Sequence, residues 1–472
     1  MKIKKTILIF ILIILAIPYV NALGQTTTPA EAVYIVQSGD SLWDIAARFR
    51  VSLEELEAVN NLQNPNALVL GAELKIPGIS GFSGRLTTVK VQYGENLDSL
   101  SRRYNISKEL LSRLNHLVNP RELVVGSYLV IPEENAQTPI DKRVQIIPGQ
   151  SMLDIAMSNQ LNPWQISTRN GLKNTYEIPP NGFLYLPVED QTNVLSALPS
   201  SVKSVDIQPS PLLQGKTIEI KVKIDAGISL SGNFMGHPLT FFDNGDGELV
   251  TLLGVHAMAQ PGIYPLEISL KTQDGKRFDY SQEVIVGKVD YPYDNPLTVD
   301  PETIDPKVTD PENQLWASYA QAITPQKYWD GAFQMPTPLS KDYCLTTNDC
   351  WSSRFGNRRS YNGGTYDYFH SGLDIVGKEG TEIYAPAAGV VVFTGQLTVR
   401  GNTTMIDHGW GVYSGYYHQK EILVKVGDKV EAGQLIGYIG ATGRVEGPHL
   451  HWEIWVNGVQ VDPLDWLKNT YP

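Results

Sequence analysis

Cysteine is nearly absent: Cys344 and Cys350 are the only two in 472 residues. Two are too few for a disulfide-dense scaffold or a cysteine-ligated metal centre, so in an exported chain this close pair is expected to form one disulfide over a short loop. A basic stripe is missing too, and the formal net charge is −12. Nucleic acid is therefore a poor partner, and the acidic balance argues against simple charge-driven adsorption to anionic polymers. Beyond the first residues no apolar run is long enough to span a bilayer. What is present is ordinary globular composition, 42% hydrophobic and 19% charged, over a length that requires several domains.

The one long apolar run, Ile7 to Ile17, follows Lys2, Lys4 and Lys5 and is broken by Pro18. As a helix it would be about 16 Å long, against about 30 Å for a bilayer core. Val20-Asn21-Ala22 resembles a small-x-small cleavage site. Residues 1–22 are thus expected to be a secretory signal peptide, with no membrane span after its removal and an extracytoplasmic location.

A 55-residue period organises the next part. Gly39, Gly94 and Gly149 recur at that spacing, as do Asn60, Asn115 and Asn170, and Pro77, Pro132 and Pro187. Each unit reads as strand, helix, helix, strand. In the first, Val33 and Ile35 alternate, Ser38-Gly39-Asp40-Ser41 makes a turn and a helix start, and Leu42, Ile45, Ala46 and Phe49 keep helical spacing. Val51-Ser52 opens a second helix, which Asn60 is expected to end in a left-handed conformation. These units (33–77, 88–132 and a degenerate 143–187) resemble small α+β LysM modules. The resemblance implies binding to N-acetylglucosamine-containing glycan strands such as peptidoglycan, through the turn after the first strand and the loop before the last. Weak modules in series gain avidity, which suits an insoluble polymer.

Residues 201–287 look all-β. Ile218, Ile220, Val222 and Ile224 alternate with polar residues, as do Leu266, Ile268 and Leu270, and Asn244-Gly245 and Asp274-Gly275 are turn pairs. An immunoglobulin-like sandwich is expected. From 290 to 313 prolines punctuate an acidic stretch that reads as an extended linker.

Five of the eight histidines fall between His370 and His451. HSGLD runs from His370 to Asp374, YYH ends at His418, and HLH spans His449 to His451. A catalytic zinc takes three ligands from His and carboxylate and keeps one position open. On a strand, His449 and His451 share a face while Leu450 points the other way. No HExxH occurs, so the glutamate base of that zinc class is missing and a surplus histidine is the natural proton carrier.

These segments, with RFGNRRSYNG before them and VKVGDKVEAGQLIGYIGATG between, resemble the catalytic domain of M23 (LytM/lysostaphin-type) peptidoglycan endopeptidases over about Arg354 to Leu467; the domain is bounded here as 341–472. The resemblance implies a mainly antiparallel β metallopeptidase domain with Zn2+ on His370, Asp374 and His451, catalysis by His418 and His449, and stem or cross-bridge peptides in a groove. It places the protein outside the cytoplasm, secreted or cell-wall associated. Gln419-Lys420 stands where family members often carry Leu-Ser and is expected at the groove rim. His408 is expected to be structural or to support the site from behind its ligands, and Glu453 to support the site or line the groove. The rival reading is a non-catalytic wall-bound recruiter or activator of another peptidoglycan hydrolase; a lost zinc ligand would favour it, and none is lost.

Overall fold

A computed structural model describes residues 32–472, apart from 63, 65–67, 80, 120–122, 137–140, 147–148, 177–182, 190–197, 200, 274 and 348. The expected signal peptide and Asp274 lie outside the described residues. Among the described residues no helix is long and apolar enough to cross a membrane. The chain divides into two compact units, up to Leu86 and from Thr87 onward.

The first unit holds the first repeat. Its strand Ala32–Ile35 pairs antiparallel with Glu73–Lys75 and parallel with the start of Gly84–Lys90. Ser41 caps the helix Leu42–Phe49, and Ser52 and Glu55 form a capping box on the helix Leu53–Asn60. Asn60 does not adopt the left-handed conformation; Asn61 does, at φ 54°. Asn60 instead clamps the helix to the last strand. Its amide donates to the Leu56 and Lys75 carbonyls at 2.8 and 2.9 Å and accepts from Lys75 N–H at 2.8 Å. Asn115 does the same with Leu111 and Val130, and Asn170 with Ile166 and Tyr185. This clamp is the physical reason for asparagine at the 55-residue spacing.

The second unit contains the other two repeats. The second has helices Leu97–Tyr104 and Lys108–Leu114 and the strand Tyr128–Pro132. The third has the same order, Asp141–Gln145, Met152–Ser158, Pro163–Arg169 and Phe183–Glu189. Next comes a two-sheet sandwich of five and four strands, in which Ile218, Ile220, Val222, Leu266, Ile268 and Leu270 meet in one core as their alternation predicted.

The C-terminal domain is built on a ten-stranded antiparallel sheet. Its centre runs Trp351–Ser353, Leu373–Val376, His449–Val456, Val412–Ile422, Gly401–Gly409, Gly389–Leu397. Cys344 and Cys350 are disulfide-bonded just before the first of these strands.

Two boundaries differ from the sequence reading. The stretch 290–313 is not an extended linker. Its first part hydrogen-bonds along residues 358–362 through Asp294 N–H, Leu297 N–H and the Pro292 carbonyl, and a helix follows at Pro306–Tyr319. Asp305 caps that helix and Pro306 begins it, where a missing N–H costs nothing. Trp316 is fully buried on the sheet, and Glu312 accepts from the backbone and guanidinium of Arg400. The peptidase core likewise begins before 341, since Trp329 and Phe333 pack against Trp410 and Trp466.

Candidate active site

Three strands bring the chemistry together. Asp374 on Leu373–Val376 lies directly opposite His451, which in turn lies opposite Tyr417 on Val412–Ile422. His370 precedes the first strand by one short turn. Gly372 is required there, because a Cβ would sit 2.4 Å from the Trp452 carbonyl oxygen and 2.7 Å from His451 Nε2. His418 comes from a bulge: Thr404 pairs with Tyr416, but Asn402 pairs with Gln419. The extra residue puts His418 at φ 63° and turns it into the same cleft as Tyr417. The cleft has a volume of about 890 Å³.

His370 Nε2, Asp374 Oδ1 and His451 Nδ1 converge within 2.8–2.9 Å of one another. Each is held from behind. A carbonyl can only accept, so His370 donates from Nδ1 to the Arg354 carbonyl at 3.0 Å, which leaves its Nε2 bare. His451 donates from Nε2 to Glu453 Oε1 at 3.3 Å, leaving Nδ1 bare. Arg359 donates to Asp374 Oδ2 at 2.9 Å, leaving Oδ1. Three lone-pair atoms thus face one point with their outer partners already in place. This donor set fits a zinc ion, and the outer partners are the kind that orient such ligands. His370, Asp374 and His451 are also the metal-competent cluster among the described residues.

The other two histidines are held the same way. His418 donates from Nδ1 to the Thr442 carbonyl at 2.8 Å, and His449 from Nδ1 to the Gly447 carbonyl at 2.9 Å. Both present a bare Nε2, their rings 4.9 Å apart, and His449 Nε2 lies 3.6 Å from Asp374 Oδ1.

Burial would lower the His451 pKa, but the hydrogen bonds and charges of Asp374 and Glu453 outweigh it and raise it, drawing this ring toward its protonated form. Burial, reinforced by Arg359, pushes His370 down to about 4, so it is neutral near pH 7. Burial, then His449 and His451, holds His418 well below the usual imidazole value. Burial opposes ionisation of Asp374, yet the attraction of His370 and His449 in their protonated forms outweighs it, so Asp374 ionises well below the usual carboxylate value and is already charged where His370 is neutral. Burial also opposes a charge on Glu453, but the His451 hydrogen bond leads a set of donors that brings it down to about 2.

Glu453, expected to support the site or line the groove, is a fully buried hub. Oε1 accepts from Ser371, Gln460 and His451, and Oε2 from Trp316, Trp455 and Tyr417. Gln419 is not at the rim. It is buried and donates to Thr404 and the Tyr416 carbonyl, bracing the bulge, while Lys420 pairs on the surface with Glu379. Arg359, Tyr417 and the residues around Asp294 escaped the sequence reading. Arg359 sits inside RFGNRR, but nothing in the string says that its fork reaches both Asp294 and Asp374.

His408 is structural. It is buried between the Ala388 carbonyl and Ser414, and burial lowers its pKa to about 4. The folded protein keeps it neutral while the unfolded chain takes a proton below about pH 6.5. Its stabilising contribution is therefore complete above about 6.5 and lost as pH falls toward 4. Denaturant midpoints measured from pH 7 to 4.5 should fall, and the His408→Gln variant should show a shallower fall by up to about one proton's linkage. An unchanged slope would refute this.

An antiparallel β domain with a His-Asp-His donor set and two further histidines on a cleft defines a metallopeptidase type of site. Residues 368–463 match peptidase family M23, and residues 34–77 and 89–132 match the LysM domain. By its C-terminal domain the chain belongs to peptidase family M23. It is 45% identical over 95 residues to the peptidoglycan DD-endopeptidase ShyA of Vibrio cholerae, which covers 20% of this chain and 22% of that protein. It is 41% identical over 95 residues to the DD-carboxypeptidase/endopeptidase Mpg of Neisseria meningitidis, again 20% and 22%. The catalytic domain of lysostaphin from Staphylococcus simulans is 32% identical, over 28% of this chain and 100% of that chain, with a TM-score of 0.24. The chain spans 22% of the length of each of these two curated relatives.

Proposed function

We propose that this protein is an exported zinc metalloendopeptidase that hydrolyses peptide cross-links of bacterial peptidoglycan and is held on wall glycan by its LysM repeats. The observation that carries the reading is the convergence of three bare donor atoms, each fixed from behind, beside two histidines whose Nε2 atoms are also bare. His370, Asp374 and His451 would hold the metal. A bound zinc ion supplies Lewis-acid polarisation of the scissile carbonyl and acidifies water. His418, kept neutral by burial, accepts a proton at Nε2. His449, half-buried at the cleft, faces the developing oxyanion or the leaving amine. In this reading the third repeat is a degenerate LysM module, and the sandwich is an immunoglobulin-like spacer without chemistry of its own.

Purified protein should contain one zinc per chain by elemental analysis, and mass spectrometry of digested peptidoglycan should show cleaved cross-links. A chain that folds, stays metal-free after incubation with zinc and releases no fragments would sink the enzyme and promote the recruiter. Removing the first repeat, residues 33–77, should cut co-sedimentation with insoluble peptidoglycan about tenfold or more. Cleavage of a short soluble wall peptide should persist. Full pelleting of the shortened protein would show that this repeat is not the anchor.

A further inference from the structure

The first two repeats superimpose in sequence at an offset of 55, which makes each position in one a control for the other. The loop before the last strand carries Val69 and Leu70 in the first repeat and Val124 and Val125 in the second. The first pair is 67% and 69% exposed, the second 9% and 6%. The turn after the first strand differs in the same sense. Ser38 in the first repeat is Tyr93 in the second, and Tyr93 is buried in the core of the β-sandwich together with Val125.

The covering element is the sandwich strand Arg277–Gly287. Tyr93 donates its hydroxyl to the Leu266 carbonyl at 3.0 Å and reaches the Tyr280 carbonyl at 3.1 Å, with the two tyrosine rings edge to face. Gly94 N–H donates to Gln282 Oε1 at 2.6 Å, and Gln282 Nε2 donates to the Glu95 carbonyl at 3.1 Å. On the other loop, Val125 N–H donates to the Glu283 carbonyl at 2.9 Å, and Val125 and Val284 form an isolated parallel bridge. Both loops of the edge are therefore spent on the sandwich, chiefly on this strand, with Leu266 on the neighbouring strand Gly262–Lys271 taking the Tyr93 hydroxyl. The carboxamide of Gln282 offers the turn one acceptor and one N–H donor, the same pair that an acetamido group on a sugar offers.

We infer that the second repeat takes no glycan, and that its recognition edge is a permanent dock for the sandwich. The repeat serves as a rigid extension of the second unit, and glycan binding falls to repeats whose edges are open, the first among them. This rests on the reading of the array as glycan-binding, but the dock itself is testable without any sugar.

Hydrogen–deuterium exchange of the full-length protein separates the two. Without sugar, amides 93–96 and 123–127 should exchange about a hundredfold more slowly than 38–41 and 69–71. Adding a soluble N-acetylglucosamine pentamer should protect the first repeat and leave the second unchanged. Gln282→Ala should speed exchange at Gly94 about tenfold without affecting the first repeat. Tyr93→Ser, which restores the first repeat's residue, should do the same if the alanine variant folds poorly. Exchange at 93–96 as fast as at 38–41, or sugar-dependent protection of the second repeat, overturns the inference. Protection of neither repeat by the pentamer, with 93–96 still slow, upholds the dock and overturns the glycan reading of the array.

Discussion

Replacing His451 by alanine should remove bound zinc and activity together, whereas replacing His449 two residues earlier should remove activity alone. The strand places both imidazoles on one side, so alternation does not separate them. Their outer partners do. His451 gives its Nε2 proton to Glu453 and turns Nδ1 onto Asp374 and His370 at 2.8 and 2.9 Å. His449 spends Nδ1 on the Gly447 carbonyl, and its Nε2 stops 3.6 Å from Asp374. A three-ligand site has no spare ligand, so His451→Ala should drop zinc content toward zero. His449→Ala should keep about one zinc per chain and lose about a hundredfold to ten-thousandfold in rate, the usual loss for a proton-handling group. His418→Ala should behave like His449→Ala. The measurement is zinc content beside cleavage rate for the three variants in the full chain. Zinc lost from His449→Ala but kept by His451→Ala would invert the assignment, and equal loss from both would remove the distinction.

How far the string of residues reached depends on whether a feature is local. The repeats were readable because helix caps, turn glycines and the clamp asparagines recur at one spacing. Asn60 does end its helix, as its spacing suggests, but the clamp it forms joins residues 15 apart and lies beyond a local reading. The five histidines and Asp374 were readable because strand alternation and the HSGLD turn act within a few residues. The bulge at His418 was not, because it exists only as a mismatch between two strands. The same holds for Arg359, whose two carboxylate partners lie 65 and 15 residues away. The stretch 290–313 was misread for a different reason. Its prolines and acids look like linker composition, yet Asp305-Pro306 is a helix-start signal, and Trp316, just past the assigned end, pins the helix.

If the segment were a linker, Leu315 and Trp316 would be equally replaceable. In the structure Leu315 is exposed, while Trp316 is fully buried between Tyr417 and Phe393 with Arg400 over its ring. Its indole N–H also donates to Glu453 Oε2 at 3.2 Å, one donor among the six that hold the carboxylate orienting His451. Trp316→Ala removes a core aromatic and should cost the peptidase domain about 3–5 kcal/mol. Leu315→Ala should stay within about 0.5 kcal/mol, as surface changes do. Trp316→Phe separates packing from hydrogen bonding. It keeps most of the apolar volume and removes one of six donors, so it should fall between the two in stability. Zinc affinity should follow the same order, because a loosened Glu453 frees the His451 ring. Calorimetry of the peptidase transition and competition with a zinc chelator give the two readouts. A Trp316→Ala protein with an unshifted transition and unweakened zinc would show that the helix Pro306–Tyr319 only lies on the domain; a shift in both would make it the part of the chain that carries the metal site's support.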